Sequence, residues 1–164
     1  IKKKIMAKQI NTLKSLLIAS ACFTLLIFTN CGGGSDDQVD APELTAAERN
    51  AELLEGNWNL SSATNGGTPR DEWTGFTLSF SIDSDLKGGS YTASGIPSDE
   101  GADLVWSTSG TFTANSDLSV LTRNDGVVMT MVASATALNI SFNINDSGGR
   151  IAGFTGDWVF SMRP

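Results

Sequence analysis

The side chains of this sequence that could do chemistry are mainly carboxylates, because it contains no histidine and only two cysteines. Without histidine, Ser–His and Cys–His nucleophiles and the usual zinc sites are excluded. A glycosidase needs two carboxylates that face each other across a cleft. The acids that could pair in this way all fall in predicted loops, where acids are usually solvated, so we predict that the protein is not an enzyme. They are Asp71, Glu72, Asp99, Glu100 and Asp103.

Two short runs offer oxygen atoms that a calcium ion could use. They are Asp83-Ser84-Asp85 and Asn143-Ile144-Asn145-Asp146. Neither run is a full loop of alternating ligands. Asp and Asn are common in turns for a simpler reason, since their side chains bond to the local backbone. We therefore predict no metal and no other cofactor.

Cys31 stands at the boundary between two segments of opposite character. Residues 1–14 are basic and contain no acid, and residues 15–30 are uncharged and mostly apolar. A basic segment followed by a short apolar one is typical of a secretory signal. The apolar run is shorter than the ~20 residues that span a bilayer as a permanent helix, although a single membrane-spanning helix is the alternative.

The end of the apolar run resembles the lipobox of bacterial lipoproteins, in which a cysteine becomes the lipidated first residue. Phe28 and Asn30 depart from the usual box. Lipoproteins of the Bacteroidota accept looser boxes, and the polar run after Cys31 is similar to their mature N-termini. Cleavage before Cys22, the competing site, would leave residues 23–28 as an apolar N-terminus.

The resemblance implies a signal peptide over residues 1–30 and a lipid on Cys31. It implies a protein of the cell envelope, lipid-anchored to the outer membrane on its periplasmic or its surface side. Residues 31–43 are rich in glycine and acid and are predicted to form a flexible tether. The expected partners are the membrane, through the anchor, and a small hydrophobic ligand or an envelope protein.

The chain after Cys31 is strongly acidic. All 18 acidic residues follow Cys31, whereas the basic residues of the leader precede it. Such a surface repels nucleic acid, which we exclude as a partner. Because Cys22 lies in the leader and Cys31 would carry lipid, no disulfide is expected within one mature chain.

The remaining sequence predicts a short helix followed by strands. Thr45 and Glu48 have the spacing of a capping box, and Gly56 is a natural stop, so residues 45–55 are predicted to be helical. Beyond this point apolar residues recur at every second position, as in half-buried strands. The predicted strands are 57–63, 74–82, 90–94, 104–113, 118–123, 127–133, 138–144 and 158–163.

Glycine-rich runs separate several of these strands and predict tight turns. They are Gly66-Gly67, Lys87-Gly88-Gly89, Asn124-Asp125-Gly126 and Ser147-Gly148-Gly149. Short strands with tight turns favour an all-β fold, specifically an eight-stranded antiparallel up-and-down barrel. A β-sandwich is the alternative.

The order of elements resembles the calycin pattern of lipocalins, and more closely the small lipocalin-like lipoproteins of Bacteroidota, a family largely of unknown function. The likeness covers residues 44–164. The calycin pattern is carried by the helix, the Gly56-Asn57-Trp58 run that opens the first strand, the up-and-down meander and Arg163 near the C-terminus. The closer likeness is carried by Gly-x-Trp at 56–58, Phe-x-Leu-x-Phe at 76–80 and Thr-Arg-Asn-Asp-Gly at 122–126. The calycin pattern implies that Trp58 packs at the closed end of the barrel, beneath the guanidinium of Arg163.

Trp73 and Trp106 are the candidate residues for a ligand at the open mouth of such a barrel. As a loop aromatic, Trp73 is expected to make fewer contacts than Trp58; alternatively, it plugs the barrel end. The bulky inward-facing residues favour a filled interior over a wide cavity. They are Phe76, Phe80, Trp106, Phe112, Phe142, Trp158 and Phe160.

Two functions remain open at this point. The first is a lipid-anchored, lipocalin-like envelope protein that binds a small apolar ligand. The second is a non-catalytic structural or interaction module with a filled barrel that acts through its surface.

Overall fold

The computed structural model describes residues 42–145 and 153–164. The chain divides into two compact units, Ile1–Asp40 and Ala41–Pro164, and only the second contains described residues. The predicted signal peptide, the lipidation site at Cys31 and most of the tether therefore lie outside the described residues. The predicted turn at 147–149 lies outside them as well.

Helix α1, Ala46–Leu54, begins with the predicted capping box. The Glu48 amide donates to the Thr45 hydroxyl at 3.2 Å, and the Thr45 amide donates to the Glu48 carboxylate at 2.7 Å. These two bonds satisfy amides that have no partner in the first turn of a helix. The Thr45 amide and the Thr45 hydroxyl both donate to the Glu48 carboxylate, and these bonds hold the pKa of Glu48 below its usual value because they favour the charged form. None of the described helices has the length and the apolar character needed to cross a membrane.

The remaining elements are strands, one short helix and one 3-10 turn. The strands are β1 Gly56–Asn65, β2 Thr68–Pro69, β3 Thr77–Ile82, β4 Gly88–Ser94, β5 Ser109–Ala114, β6 Val120–Arg123, β7 Val128–Ser134, β8 Ala137–Ile144 and β9 Gly156–Arg163. The 3-10 turn is Asp71–Trp73, between β2 and β3, and helix α2 is Ala102–Val105, between β4 and β5.

Eight of these strands close into an antiparallel barrel. Each of β3 to β8 pairs with the strand that follows it, and β9 returns to pair with β1, while β2 pairs only with the end of β1. The predicted all-β, eight-stranded up-and-down barrel with a short N-terminal helix is confirmed, and the sandwich is not formed.

Strand β1 closes the barrel because it changes neighbour along its length. Its first part, residues 56–59, pairs with β3, and residues 59–65 pair with β9. The register shifts between Leu60 and Ser62. An irregularity of this kind bends a strand and increases its twist, which a closed barrel needs.

The predicted strand over 104–113 is only partly correct, because strand β5 begins at Ser109. The preceding residues form helix α2, whose start follows Gly101 in the left-handed region at φ 97°. Val105 and Trp106 are fully buried there. The apolar residues that suggested an early strand are therefore buried by a helical turn.

The predicted turn at Lys87-Gly88-Gly89 is also misplaced, because Gly88 and Gly89 are paired residues of β4. A Cβ on Gly89 would lie 2.1 Å from the Ser81 carbonyl oxygen, so the strands pack too closely there for a side chain. The chain turns earlier instead, through Leu86, whose φ is 59°.

The two ends of the barrel differ in what closes them. We call the end with helix α1 and the connections 83–87, 115–119 and 135–136 the lower end. The connections 66–76, 95–108 and 124–127 lie together at the opposite, upper end. Between the ends, every second residue of the strands points into one continuous hydrophobic core.

At the lower end Trp58 is buried as predicted, but Arg163 does not cover it. Trp58 is 4% exposed, and its indole N–H donates to the Leu54 carbonyl at 3.0 Å. Arg163 is exposed and pairs across the sheet with Asn59, which also faces outward. Because Met162 points inward, Arg163 must point outward. The alternation of β9 therefore excludes the expected stacking.

Candidate functional site at the upper end of the barrel

Trp73 enters the barrel from the connection between β1 and β3. The 3-10 turn places its indole inside, where it is fully buried. Its ring meets those of Phe76 and Phe160 nearly edge-on, with centroids 5.3 Å and 5.2 Å away. Trp73 is therefore a core residue and plugs the upper end.

Trp106 also plugs the upper end, and it enters the barrel from the connection between β4 and β5. It follows helix α2 and is fully buried. Its ring lies 5.8 Å from that of Phe76 and 5.9 Å from that of Phe160, the two rings that Trp73 also contacts. The two predicted mouth residues thus meet the same aromatic cluster.

The indole N–H groups of Trp73 and Trp106 have no hydrogen-bond partner among the described residues. The other tryptophans differ: Trp58 donates to Leu54, and Trp158 donates to the Phe154 carbonyl at 2.8 Å. A buried donor without a partner costs about 1–3 kcal/mol. A neighbouring aromatic ring offsets part of such a cost only where the N–H points at its face, which accepts a hydrogen bond weakly.

Arg123, the last residue of β6, lies beneath helix α2 with a side chain that is 0% exposed. Its guanidinium donates to the carbonyls of Leu104 and Val105 and to the carboxylate of Asp125. It also lies 5.2 Å from the centroid of the Trp106 ring. Arg123 therefore ties helix α2 and Trp106 to the β6–β7 hairpin.

Asp125 sits in the predicted Asn124-Asp125-Gly126 turn, which the structure confirms between β6 and β7. Partial burial would raise the pKa of its carboxyl. The hydrogen bonds from Arg123 and from the Val127 amide, together with the charge of Arg123, outweigh burial and lower the pKa below its usual value. Asp125 is therefore the ionised partner of a buried cation.

Arg70 occupies a similar position beside Trp73. It pairs with Glu72, donates to the Gly153 carbonyl, and lies 4.9 Å from the centroid of the Trp158 ring. Its side chain is 18% exposed, so this pair is wetter than the Arg123 pair. Each tryptophan plug is thus accompanied by an arginine that pairs with an acid two residues later.

A pocket of about 360 Å³ lies beside helix α2 at the upper end. Its lining includes three apolar residues, Leu104, Val127 and Ile144. It also includes polar residues, among them Asp103, Asp125 and Asn143. Its size lies at the small end of the range for ligand sites.

The carboxylates singled out in the sequence lie at this end but are spread over separate connections. Asp71 and Glu72 belong to the 3-10 turn, while Asp99, Glu100 and Asp103 precede or open helix α2. All of them are exposed, and Glu72 is engaged by Arg70. Within 42–145 and 153–164, no group of three or more histidine, cysteine or acidic side chains could hold a metal ion.

Comparison with protein families, with curated proteins and with solved structures finds no match for this chain. The geometry of the upper end is therefore the basis for a functional assignment.

Sequence reasoning assigned no site role to Arg70 or Arg123, although Arg123 belongs to the Thr-Arg-Asn-Asp-Gly run at 122–126. The signal that could have found them is a shared spacing, because each arginine precedes an acid by two residues: Arg70-Asp71-Glu72 and Arg123-Asn124-Asp125. Each run sits where a strand meets a connection of the upper end. An arginine at such a position can reach inward while its acid remains at the rim.

Proposed function

We propose that the protein is a lipid-anchored envelope protein whose filled, lipocalin-like barrel acts through its surface as a non-catalytic interaction module. The observation that carries this proposal is the aromatic cluster in the upper interior. Phe160 alone has five aromatic rings whose centroids lie between 5.2 Å and 5.9 Å away, those of Trp73, Phe76, Trp106, Phe142 and Trp158. Side chains thus occupy the space where a lipocalin ligand would lie.

The outer wall of the barrel fits this role. The outward residues of β3, β4 and β5 all carry hydroxyl groups: Thr77, Ser79, Ser81, Ser90, Thr92, Ser94, Ser109, Thr111 and Thr113. Acids lie instead at the ends of the barrel, for example Asp99 and Asp103 at the upper end and Asp83 and Asp85 at the lower end. Recognition by charge would therefore take place at an end of the barrel rather than along this wall.

Titration with a fluorescent fatty acid tests the filled interior. The unchanged protein should show no saturable uptake, whereas Trp106→Ala should gain uptake, because the deleted indole leaves an apolar cavity. Stoichiometric binding by the unchanged protein, displaced by unlabelled fatty acid, would contradict the proposal.

Labelling cells with a radioactive fatty acid tests the anchor separately. The protein should take up label and remain with the membrane fraction, and Cys31→Ser should lose both properties, since the acyl chains of a lipoprotein provide its membrane affinity. Cys22→Ser is the matched control and should alter the leader without removing the lipid. Label retained by Cys31→Ser would move the attachment site to Cys22.

A second candidate function is the binding of a small apolar ligand that carries an oxygen atom. The observation in its favour is that the two unpartnered indole N–H groups belong to the two residues predicted to line the mouth. An acceptor oxygen from a ligand would satisfy them if the upper connections parted.

The resonances of the four indole N–H groups distinguish the two functions. Addition of laurate should leave all four unchanged if the barrel stays filled. If laurate enters, the resonances of Trp73 and Trp106 should move, while those of Trp58 and Trp158, which already donate to carbonyls, stay in place.

A further inference from the structure

We propose that the pocket beside helix α2 binds an organic cation, namely an alkylammonium group carried on a short apolar stem. The inference deepens the proposed function, because it names the chemistry that a surface-acting barrel would recognise at its upper end. The site consists of Asp103, Leu104, Asp125 and Val127, with Asn143 and Ile144 at its edge.

The groups that line the pocket indicate that its ligand is positively charged. Asp103 and Asp125 both line it, and Asp103 forms no ion pair among the described residues. Arg123, which pairs with Asp125, is fully buried and directs its donors at Asp125 and at the carbonyls of helix α2. Among the described residues, the lining of the pocket therefore offers acceptors and negative charge and contains no guanidinium for an anion.

The apolar stem of the ligand is inferred from the apolar residues that line the pocket. Leu104 is 42% exposed, although it belongs to a helix whose neighbouring residues Val105 and Trp106 are fully buried. With Val127 and Ile144 it forms an apolar surface next to the carboxylates. A ligand that covers this surface gains hydrophobic burial in addition to the ion pair.

A metal ion fits this pocket less well than an ammonium group. Calcium takes six to eight oxygen ligands. Here one of the two carboxylates is already bonded to Arg123, and the Asn143 amide donates to Asp157 at 2.7 Å. An ammonium group needs only a few acceptors and tolerates a half-open, water-filled site.

The test uses three probes that share a six-carbon stem and differ only in their head group. Hexylammonium, hexanol and hexanoate are titrated into the ¹⁵N-labelled protein produced from the full-length chain, with amide resonances as the readout. Hexylammonium should shift the amides of Asp103, Leu104 and Val127, hexanol should do so only at higher concentration, and hexanoate should not. Equal shifts from all three probes, or shifts confined to other residues, would overturn the proposal.

Asp103→Asn is the informative variant, because Asp103 is exposed and its substitution keeps the shape of the site. Removal of one exposed ion pair should weaken hexylammonium binding by up to about fivefold. Asp99→Asn, in the same connection but outside the pocket, is the matched control and should bind as the unchanged protein does. Equal weakening in both variants would mean that only the net charge attracts the cation, and the site would be withdrawn.

Two further arms identify the source of the cation. Nα-acetyl-lysine amide should reproduce the hexylammonium shifts if the natural ligand is a lysine side chain of a partner protein, whereas a response to free alkylamines alone indicates a small molecule. Calcium chloride should cause no shift at these residues. If calcium displaces hexylammonium at lower concentration, the pocket is a metal site and the proposal fails. The fatty-acid titration probes the interior, so it can succeed or fail independently of this test.

Discussion

Buried tryptophans close both ends of the barrel, but the two ends differ in the hydrogen bonding of the indole N–H groups. At the lower end Trp58 is buried beneath helix α1, and its N–H donates to the Leu54 carbonyl. At the upper end Trp73 and Trp106 are buried more completely, yet their N–H groups have no partner in the part of the chain that the structure describes. A phenylalanine would fill such positions without a stranded donor.

The difference suggests where the molecule is built for stability and where it can change. The lower end combines a capped helix, a satisfied indole and apolar burial, which all favour one arrangement. The upper end retains unsatisfied donors and a buried cation, and such exceptions to the rules of packing concentrate at functional sites. The pocket described above also lies at the upper end, beside helix α2.

The largest expected effect comes from deletion of a plug at either end. Trp73→Ala and Trp58→Ala should each lower the free energy of unfolding by about 3–5 kcal/mol, because each removes a large buried aromatic side chain. Denaturation by urea measures both values. The complete burial of Trp73 replaces the expectation, drawn from its place in a loop, that its loss would matter much less. A small loss for Trp73→Ala would mean that the upper end is not a closed core.

The fold was predictable from sequence where the pattern is local. Alternation along 138–144 identifies a strand without knowledge of its neighbours, since the period of two places one face inward. The Thr45–Glu48 capping box fixes the start of helix α1 for the same reason. Both features appear in the structure as predicted.

The candidate site was predictable only in part, because it depends on contacts between distant residues. The helical turn before β5 buries the same apolar residues that a strand would bury, so periodicity alone could not separate the two. The role of Arg123 depends on helix α2, which lies 18 and 19 residues away along the chain. The resemblance to lipocalins directed attention to Arg163 instead, although the alternation of β9 already turned that residue outward.

The next largest effect concerns the two arginines of the upper end. Arg123→Met should lower the free energy of unfolding by about 3 kcal/mol, because it leaves the carbonyls of Leu104 and Val105 without their donor. Arg70→Met should lower it by about 1 kcal/mol, since the ion pair of Arg70 is partly exposed to water. Methionine keeps much of the apolar stem in both variants. Equal losses would show that burial does not distinguish the two pairs.

Acidification should weaken the upper end through Asp125. Its pKa is lowered in the folded protein, so its contribution is complete above the unfolded value of about 3.9 and is lost as the pH falls through the lower folded value. Asp125→Asn should therefore be less stable than the unchanged protein at neutral pH, and the difference should shrink on acidification.

Comparison with this variant is necessary because Glu48 and Asp117 also have lowered pKa values, through hydrogen bonds from Thr45 and from Ser119 respectively. Those two acids contribute equally to both proteins and cancel in the difference. Urea denaturation at a series of pH values provides the measurement. A difference that stays constant down to pH 2 would show that the charge of Asp125 does not stabilise the fold.

The smallest effect is also the most direct test of the contrast between the two ends. Trp58→Phe and Trp73→Phe remove the same volume from buried sites. The loss of packing should therefore lower the free energy of unfolding by a similar amount in both variants. Trp58→Phe also removes the bond to the Leu54 carbonyl, whereas Trp73→Phe removes a donor with no hydrogen-bond partner among the described residues. Trp58→Phe should therefore be more destabilising by about 1 kcal/mol. If Trp73→Phe costs as much or more, its N–H has a partner in solution, either a buried water or the face of a neighbouring ring, and the two ends are satisfied alike.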